Sequence, residues 1–152
     1  MKFNKIFLAI MLLIVVSSLG IAFAETTSVG GHSFTMPDGF KEYNSSSDTI
    51  TLVPVDDDTQ VIIMKITDDV NNLDDARKYL EDKGYIFKGE DTYNVGDTEV
   101  EQQNYEKDEY LILCYVISAG NDKCLITYTM PKDTTPPEGS DNPVSTIVSS
   151  IK

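Results

Sequence analysis

The chain has 152 residues, 25 of them acidic and 12 basic, for a formal net charge of −13, and 41% are hydrophobic. That apolar content suits one globular domain and excludes a wholly disordered chain. The acid surplus excludes nucleic-acid binding, which needs a basic surface, and one His, no Trp and two Cys leave few parts for catalysis.

Residues 1–24 read as a unit apart from the fold. Lys2 and Lys5 make a basic start, Ile6 to Val16 an apolar run, and Ala22-Phe23-Ala24 a small-x-small end. This is the pattern of a secretory signal peptide, with cleavage expected after Ala24 and no Cys placed to take a lipid. The alternative is an uncleaved anchor, since Ile6 to Ala24 approaches the ~20 residues that span a bilayer. Membrane contact is expected only through this segment. The reading places the protein outside the cytoplasm, secreted or in the cell envelope. Removing residues 1–24 takes away two Lys and no acid, leaving 128 residues with a net charge of −15. That charge favours cations or basic partners, and it equally suits a solvated exterior.

Glu25 to Gly31, rich in Thr, Ser and Gly, reads as a short flexible leader, and residues 32–152 read as one domain. His32 to Met36 is a short strand, Pro37-Asp38-Gly39 a turn, Phe40 to Tyr43 extended and Asn44 to Ser47 a polar loop. Thr49 to Val55 and Val61 to Thr67 are strands joined by a hairpin loop at Asp56 to Thr59. The dense run from Val61 to Ile66 suits a strand covered on both faces. Leu73 to Lys83 is a helix capped by Asn72, with Asp74 and Asp75 in its first turn and Gly84 at its exit. Leu73, Ala76 and Leu80 share one face.

Five strands follow: Tyr85 to Phe87, Asp91 to Val95, Glu99 to Glu106, Tyr110 to Ser118 and Lys123 to Thr129. Tight turns fall at Asn94-Val95-Gly96-Asp97 and Ala119-Gly120-Asn121-Asp122. The polar Glu99 to Glu106 suits an edge strand or one with a wet face. A last helix is capped by Asn142 with Pro143 at its first position. Val144, Ile147, Val148 and Ile151 give it one apolar stripe. The order predicts an α+β domain, an antiparallel β-sheet packed with two helices, either one on each face or both on one.

Phe34-Thr35-Met36-Pro37-Asp38-Gly39-Phe40 resembles the opening of the PsbP-like α/β/α sandwich family, where an apolar strand runs into a Pro-x-Gly-aromatic turn. The hairpin from Thr49 to Thr67 and the two helices fall in a similar order, so the resemblance spans nearly all of residues 25–152. It implies that fold, used by small exported or lipid-anchored proteins as a binding or assembly module. A fold hosts several functions, so no site residue carries over.

Few residues carry chemistry. Cys114 and Cys124 invite a disulfide in an exported chain, but the hairpin geometry resists. A two- or four-residue turn sets Cys124 opposite Ile117 with Cys114 on the other face, and a three- or five-residue turn puts both on one face but offset along the ladder. The alternative to a bridge is two small buried apolar side chains. His32, at the edge of the domain, makes a catalytic Cys improbable. Asp56, Asp57 and Asp58 are the sharpest acidic cluster and the candidate Ca²⁺ ligands, although the spacing of a calcium loop is missing; a solvated turn is the plain alternative. Asn44-Ser45-Ser46 is a glycosylation sequon if the host performs the reaction. The eight Tyr could line a groove or simply rim a core.

No catalytic or cofactor-binding residue stands out, and the first expectation is therefore a non-enzymatic module binding a protein or envelope component. Its interface would be an exposed sheet face or end loops, including Tyr43 and Tyr105. The alternatives are an extracytoplasmic hydrolase using paired carboxylates and a calcium-binding envelope protein.

Overall fold

Tight two-residue turns dictate most of the strand pairing. The computed structural model describes residues 25–152, so the expected signal peptide lies outside the described residues. The strands are β1 (Thr26–Val29), β2 (His32–Thr35), β3 (Phe40–Ser45), β4 (Thr49–Pro54), β5 (Val61–Ile66), β6 (Ile86–Val95), β7 (Thr98–Lys107), β8 (Tyr110–Ala119) and β9 (Asp122–Pro131). The helices are α1 (Leu73–Asp82) and α2 (Pro143–Ser150), with a 3-10 turn at Gly139–Asp141. Strands β3 to β9 form one antiparallel sheet in the order β3-β4-β5-β9-β8-β7-β6, and β1 and β2 form a separate hairpin.

The segment carrying α1 crosses from β5 to the far edge strand β6. The meander β6-β7-β8-β9 then walks back until β9 docks on β5. Helix α1 begins as expected, with Asn72 Oδ1 accepting from the Asp75 amide at 2.9 Å. It ends at Gly84, whose φ of +88° suits a residue without Cβ. Asn142 Oδ1 accepts from the Val144 amide at 3.0 Å and starts α2.

One helix covers each face. On the first face a row runs across the strands as Ile50, Met64, Ile126, Tyr115, Gln102 and Asp91. Its apolar half is sealed by Val144 and Ile147 of α2 and by Val29, Phe34 and Met36 around the β1–β2 hairpin. On the second face a row runs as Thr51, Ile63, Thr127, Cys114, Gln103 and Glu90. Ala76 and Leu80 of α1 pack there with Tyr105, Ile112, Cys114 and Leu125. Each large apolar side chain buried in this way contributes roughly 1.5–3 kcal/mol.

Four expectations change. Residues 25–31 are not a loose leader: Thr26–Val29 pairs with His32–Thr35 around a Gly30-Gly31 turn. Gly30, at φ +56°, lies so close to Ile66 that an added Cβ would sit 2.5 Å from its Cγ1. Tyr85–Phe87 and Asp91–Val95 belong to one strand, β6, whose register shifts at a bulge between Phe87 and Gly89. Strand β7 is not an edge; β6 lies outside it, and Gln102 and Gln103 are buried on opposite faces. Strand β5 is covered on one face only. Ile62 and Met64 are buried but Ile63 is 38% exposed, because α1 packs over the β6 and β8 side of its face.

The last residues are clamped to the first hairpin. The Lys152 amide donates to Ser33 O at 3.0 Å, and the Thr35 amide donates to Ser150 Oγ at 2.9 Å. His32 sits between two acceptors, with Nε2 2.8 Å from Asp122 Oδ2 and Nδ1 3.0 Å from Lys152 O. Both partners only accept, so the doubly protonated ring satisfies both bonds. The Asp122 hydrogen bond, helped by the Lys152 oxygen and opposed by burial, raises the His32 pKa above its ordinary value. A raised folded-state pKa gives stability that is fully present below the unfolded value and lost as pH rises through the folded value. His32→Gln is therefore expected to lower the melting temperature more at about pH 5.5 than at about pH 9. Equal losses at both values would show that the clamp does not depend on charge.

Candidate functional site

A recess lies on the first face, beside the start of α2. It is a cleft of about 780 Å³ between strands β6 to β8 and the loop from Thr135 to Ser140. Leu111 and Leu113 form its apolar part; Asp91, Gln102 and Asn104 form its polar part; Pro136 and Pro137 stand on the loop side.

A chain of side-chain hydrogen bonds builds the polar wall. Asn142 Nδ2 donates to the Tyr115 hydroxyl at 2.8 Å, and that hydroxyl donates to Gln102 Oε1 at 2.6 Å. Gln102 Nε2 donates to Asn104 Oδ1 at 2.7 Å, and Asn104 Nδ2 donates to Asp91 Oδ2 at 2.8 Å. Burial pushes the Tyr115 hydroxyl far above the usual phenol range, so it stays protonated and donates. The hydroxyl of Tyr93, another lining residue, is pushed above the usual phenol range by burial, an effect opposed by the Tyr115 and Ser145 hydroxyls beside it.

A second chain mirrors the first on the opposite face. The Tyr105 hydroxyl donates to Gln103 Oε1 at 2.6 Å, and Gln103 Nε2 donates to Glu90 Oε1 at 2.9 Å. Phe87 stacks edge-on against Tyr105 and lies under the Arg77 guanidinium, 3.8 Å from the ring centroid. Both chains thus end on adjacent carboxylates of β6.

The residues singled out by sequence lie elsewhere and are not brought together. Asp56, Asp57 and Asp58 occupy the β4–β5 loop. Asp57 accepts from the Thr59 hydroxyl at 2.6 Å and the Thr59 amide at 2.8 Å, and those bonds hold its carboxyl below the usual range. Among the described residues, no three His, Cys, Asp or Glu side chains converge to hold a metal ion. Asn44 is exposed, in edge strand β3 rather than in a loop. Tyr43 is 74% exposed, but Tyr105 is fully buried beneath α1 and cannot serve as a surface contact.

Cys114 and Cys124 are both free, which corrects the disulfide expectation. The turn at Gly120-Asn121 pairs Cys124 with Ile117. Cys114 lies three positions before Ile117, an odd offset, so the two sulfurs lie on opposite faces of the sheet, one in each core. Burial pushes each thiol up to about 12.

Sequence reasoning missed the cleft residues. The signal was present in Gln102-Gln103-Asn104-Tyr105, where alternate positions are polar on both faces. Periodicity alone does not separate a buried amide from a wet one.

No protein-family model matches the chain, and no curated protein does. A protein of Bacteroides thetaiotaomicron VPI-5482, known from a crystal structure at 1.50 Å resolution, superposes with a TM-score of 0.53 at 16% identity. The match covers 82% of this chain and 46% of the other, so this chain spans less than half of that protein. The likeness is one of fold: an antiparallel sheet with helices. The Saccharomyces cerevisiae Ran-binding protein Mog1p superposes with a TM-score of 0.46 at 15% identity, covering 72% of this chain and 78% of its own. At that score the likeness carries no argument.

Two outcomes follow from these contacts. Gln102→Leu strands the Tyr115 and Asn104 side chains and should cost about 1–3 kcal/mol in chemical denaturation. Thr135→Trp, on the exposed rim, should stay within about 0.5 kcal/mol. A thiol reagent should find no reactive cysteine in the folded protein and two on unfolding without reductant. Recovery of a disulfide-bonded monomer would refute the placement of the two sulfurs.

Proposed function

We propose that the protein is an exported, non-enzymatic binding module of the PsbP-like type that holds a protein or cell-envelope component in the cleft beside β6. The observation that carries this is the polar wall. Gln102 and Asn104 are fixed by partners on both sides before any ligand arrives, so binding does not have to order them. A concave recess with an apolar part and a few convergent polar groups is what a binding site requires.

Neither His nor Cys lines the cleft. Its two carboxylates, Asp91 and Glu138, are exposed. A two-carboxylate hydrolase needs environments that drive its acids apart, one of them apolar. The binding reading therefore fits the cleft better than hydrolysis. Export is supported by the basic, apolar and small-x-small order of residues 1–24.

The test uses the full chain in its own cells, with a photo-crosslinking residue at position 135 or, as control, at exposed position 133. The expected result is an adduct with one envelope component from position 135 and none from position 133. Equal labelling from both, or none from either, would overturn the reading.

A further inference from the structure

We propose that the free edge of β6 takes up an extended, basic segment of a partner protein as an eighth strand of the sheet, with alternate side chains entering recesses on the two faces. This rests on the reading of the cleft as a binding site and names the class of its ligand.

Four observations meet at this edge. Strand β6 ends the sheet, and among the described residues no strand pairs with its outer side. Its pairing with β7 is regular from Gly89 to Val95, past the bulge, and Glu90, Asp91 and Thr92 are exposed. An edge of that length without Pro offers a ladder of unpaired backbone groups. The cleft opens on one face of these residues, and a smaller recess of about 250 Å³ lined by Asn72, Asp74, Glu90 and Glu101 opens on the other. An added strand points successive side chains to opposite faces, so one enters each recess.

The carboxylates select the occupant. Glu90 and Asp91 are each held by an amide from β7, Gln103 and Asn104. Asp74, Glu101 and Glu138 stand around the same two recesses, against Lys88 in the lining and Arg77, which lies over Phe87. A strand carrying Lys or Arg on both faces meets a fixed carboxylate on each side. The same acids disfavour a second copy of this chain, since edge-to-edge pairing would set like charges together.

The probe is a fluorescein-labelled acetyl-Thr-Val-Lys-Lys-Val-Val-Thr amide, whose adjacent Lys residues point to opposite faces, titrated into the protein and followed by anisotropy and by backbone amide shifts. Binding is expected to shift the amides of β6, to be at least about ten-fold tighter than for the same peptide with Glu in place of Lys, and to weaken with salt. N-methylation of the two adjacent Lys residues in the peptide should abolish it, because one of two successive N–H groups always faces the edge and the ladder loses that donor. The double variant Glu90→Gln, Asp91→Asn keeps the acceptors for Gln103 and Asn104 and should lose about ten-fold in affinity with an unchanged melting curve. Equal binding of the Glu peptide, full binding of the N-methylated peptide, or shifts confined to β3 would overturn the proposal. A position-135 adduct in cells without any binding of the basic peptide overturns strand addition and leaves the cleft reading standing. Peptide binding at β6 without the adduct does the reverse.

Discussion

A sheet wider than its helices is the constraint on which the rest of this structure depends. Seven strands at ~4.8 Å spacing span about 29 Å, whereas a helix with its side chains is only about 10–12 Å across. One helix per face therefore leaves most of each face uncovered. On the first face the β1–β2 hairpin and α2 share the apolar half, and the Pro136-Pro137 loop overhangs the remainder, leaving the cleft. On the second face α1 covers the β6 and β8 side, and the open half shows Thr51, Lys65, Thr127 and Thr129 around the exposed Ile63. On the first face the cross-strand row changes from apolar to polar where the cover runs out.

Elements governed by local chemistry were legible in the sequence. Both helix caps, the turn at Gly120-Asn121 and the stripe of α2 are set by neighbouring residues, and each stands where those residues put it, whereas the turn expected over Asn94 to Asp97 closes at Gly96-Asp97. The parity that separates Cys114 from Cys124 was legible too, once the turn length was known. Strand β1 was not, because Thr, Ser and Gly look the same in a loose leader as in a hairpin held down by Ile66 and Met36. The break within β6 was read as a strand end because a bulge interrupts the alternation.

The candidate site was illegible for a different reason. Tyr105 and Tyr43 carry the same side chain, yet one lies under α1 and the other in solvent. Only the path of α1 across the sheet decides between them. Gln102 and Gln103 read as wet because amides in strands usually are. Their burial follows from side-chain partners: Tyr115, itself held by Asn142, for one, and Tyr105 and Glu90 for the other. A buried amide is tolerable only when such partners are in place, and no local pattern announces them.

The double duty of Asn142 has a consequence for what the cleft presents. Its oxygen is committed to the α2 amide and its nitrogen to Tyr115. The Tyr115 proton goes to Gln102 Oε1, so the Gln102 nitrogen faces Asn104 and the Asn104 nitrogen faces Asp91. Every dipole in the string points the same way, and reversing one breaks its bonds to both neighbours. The start of the last helix thereby orients amides that lie about forty residues earlier in the chain. The pattern of donors on the cleft wall is dictated by a helix cap, and a ligand meets a surface already polarised towards the edge strand.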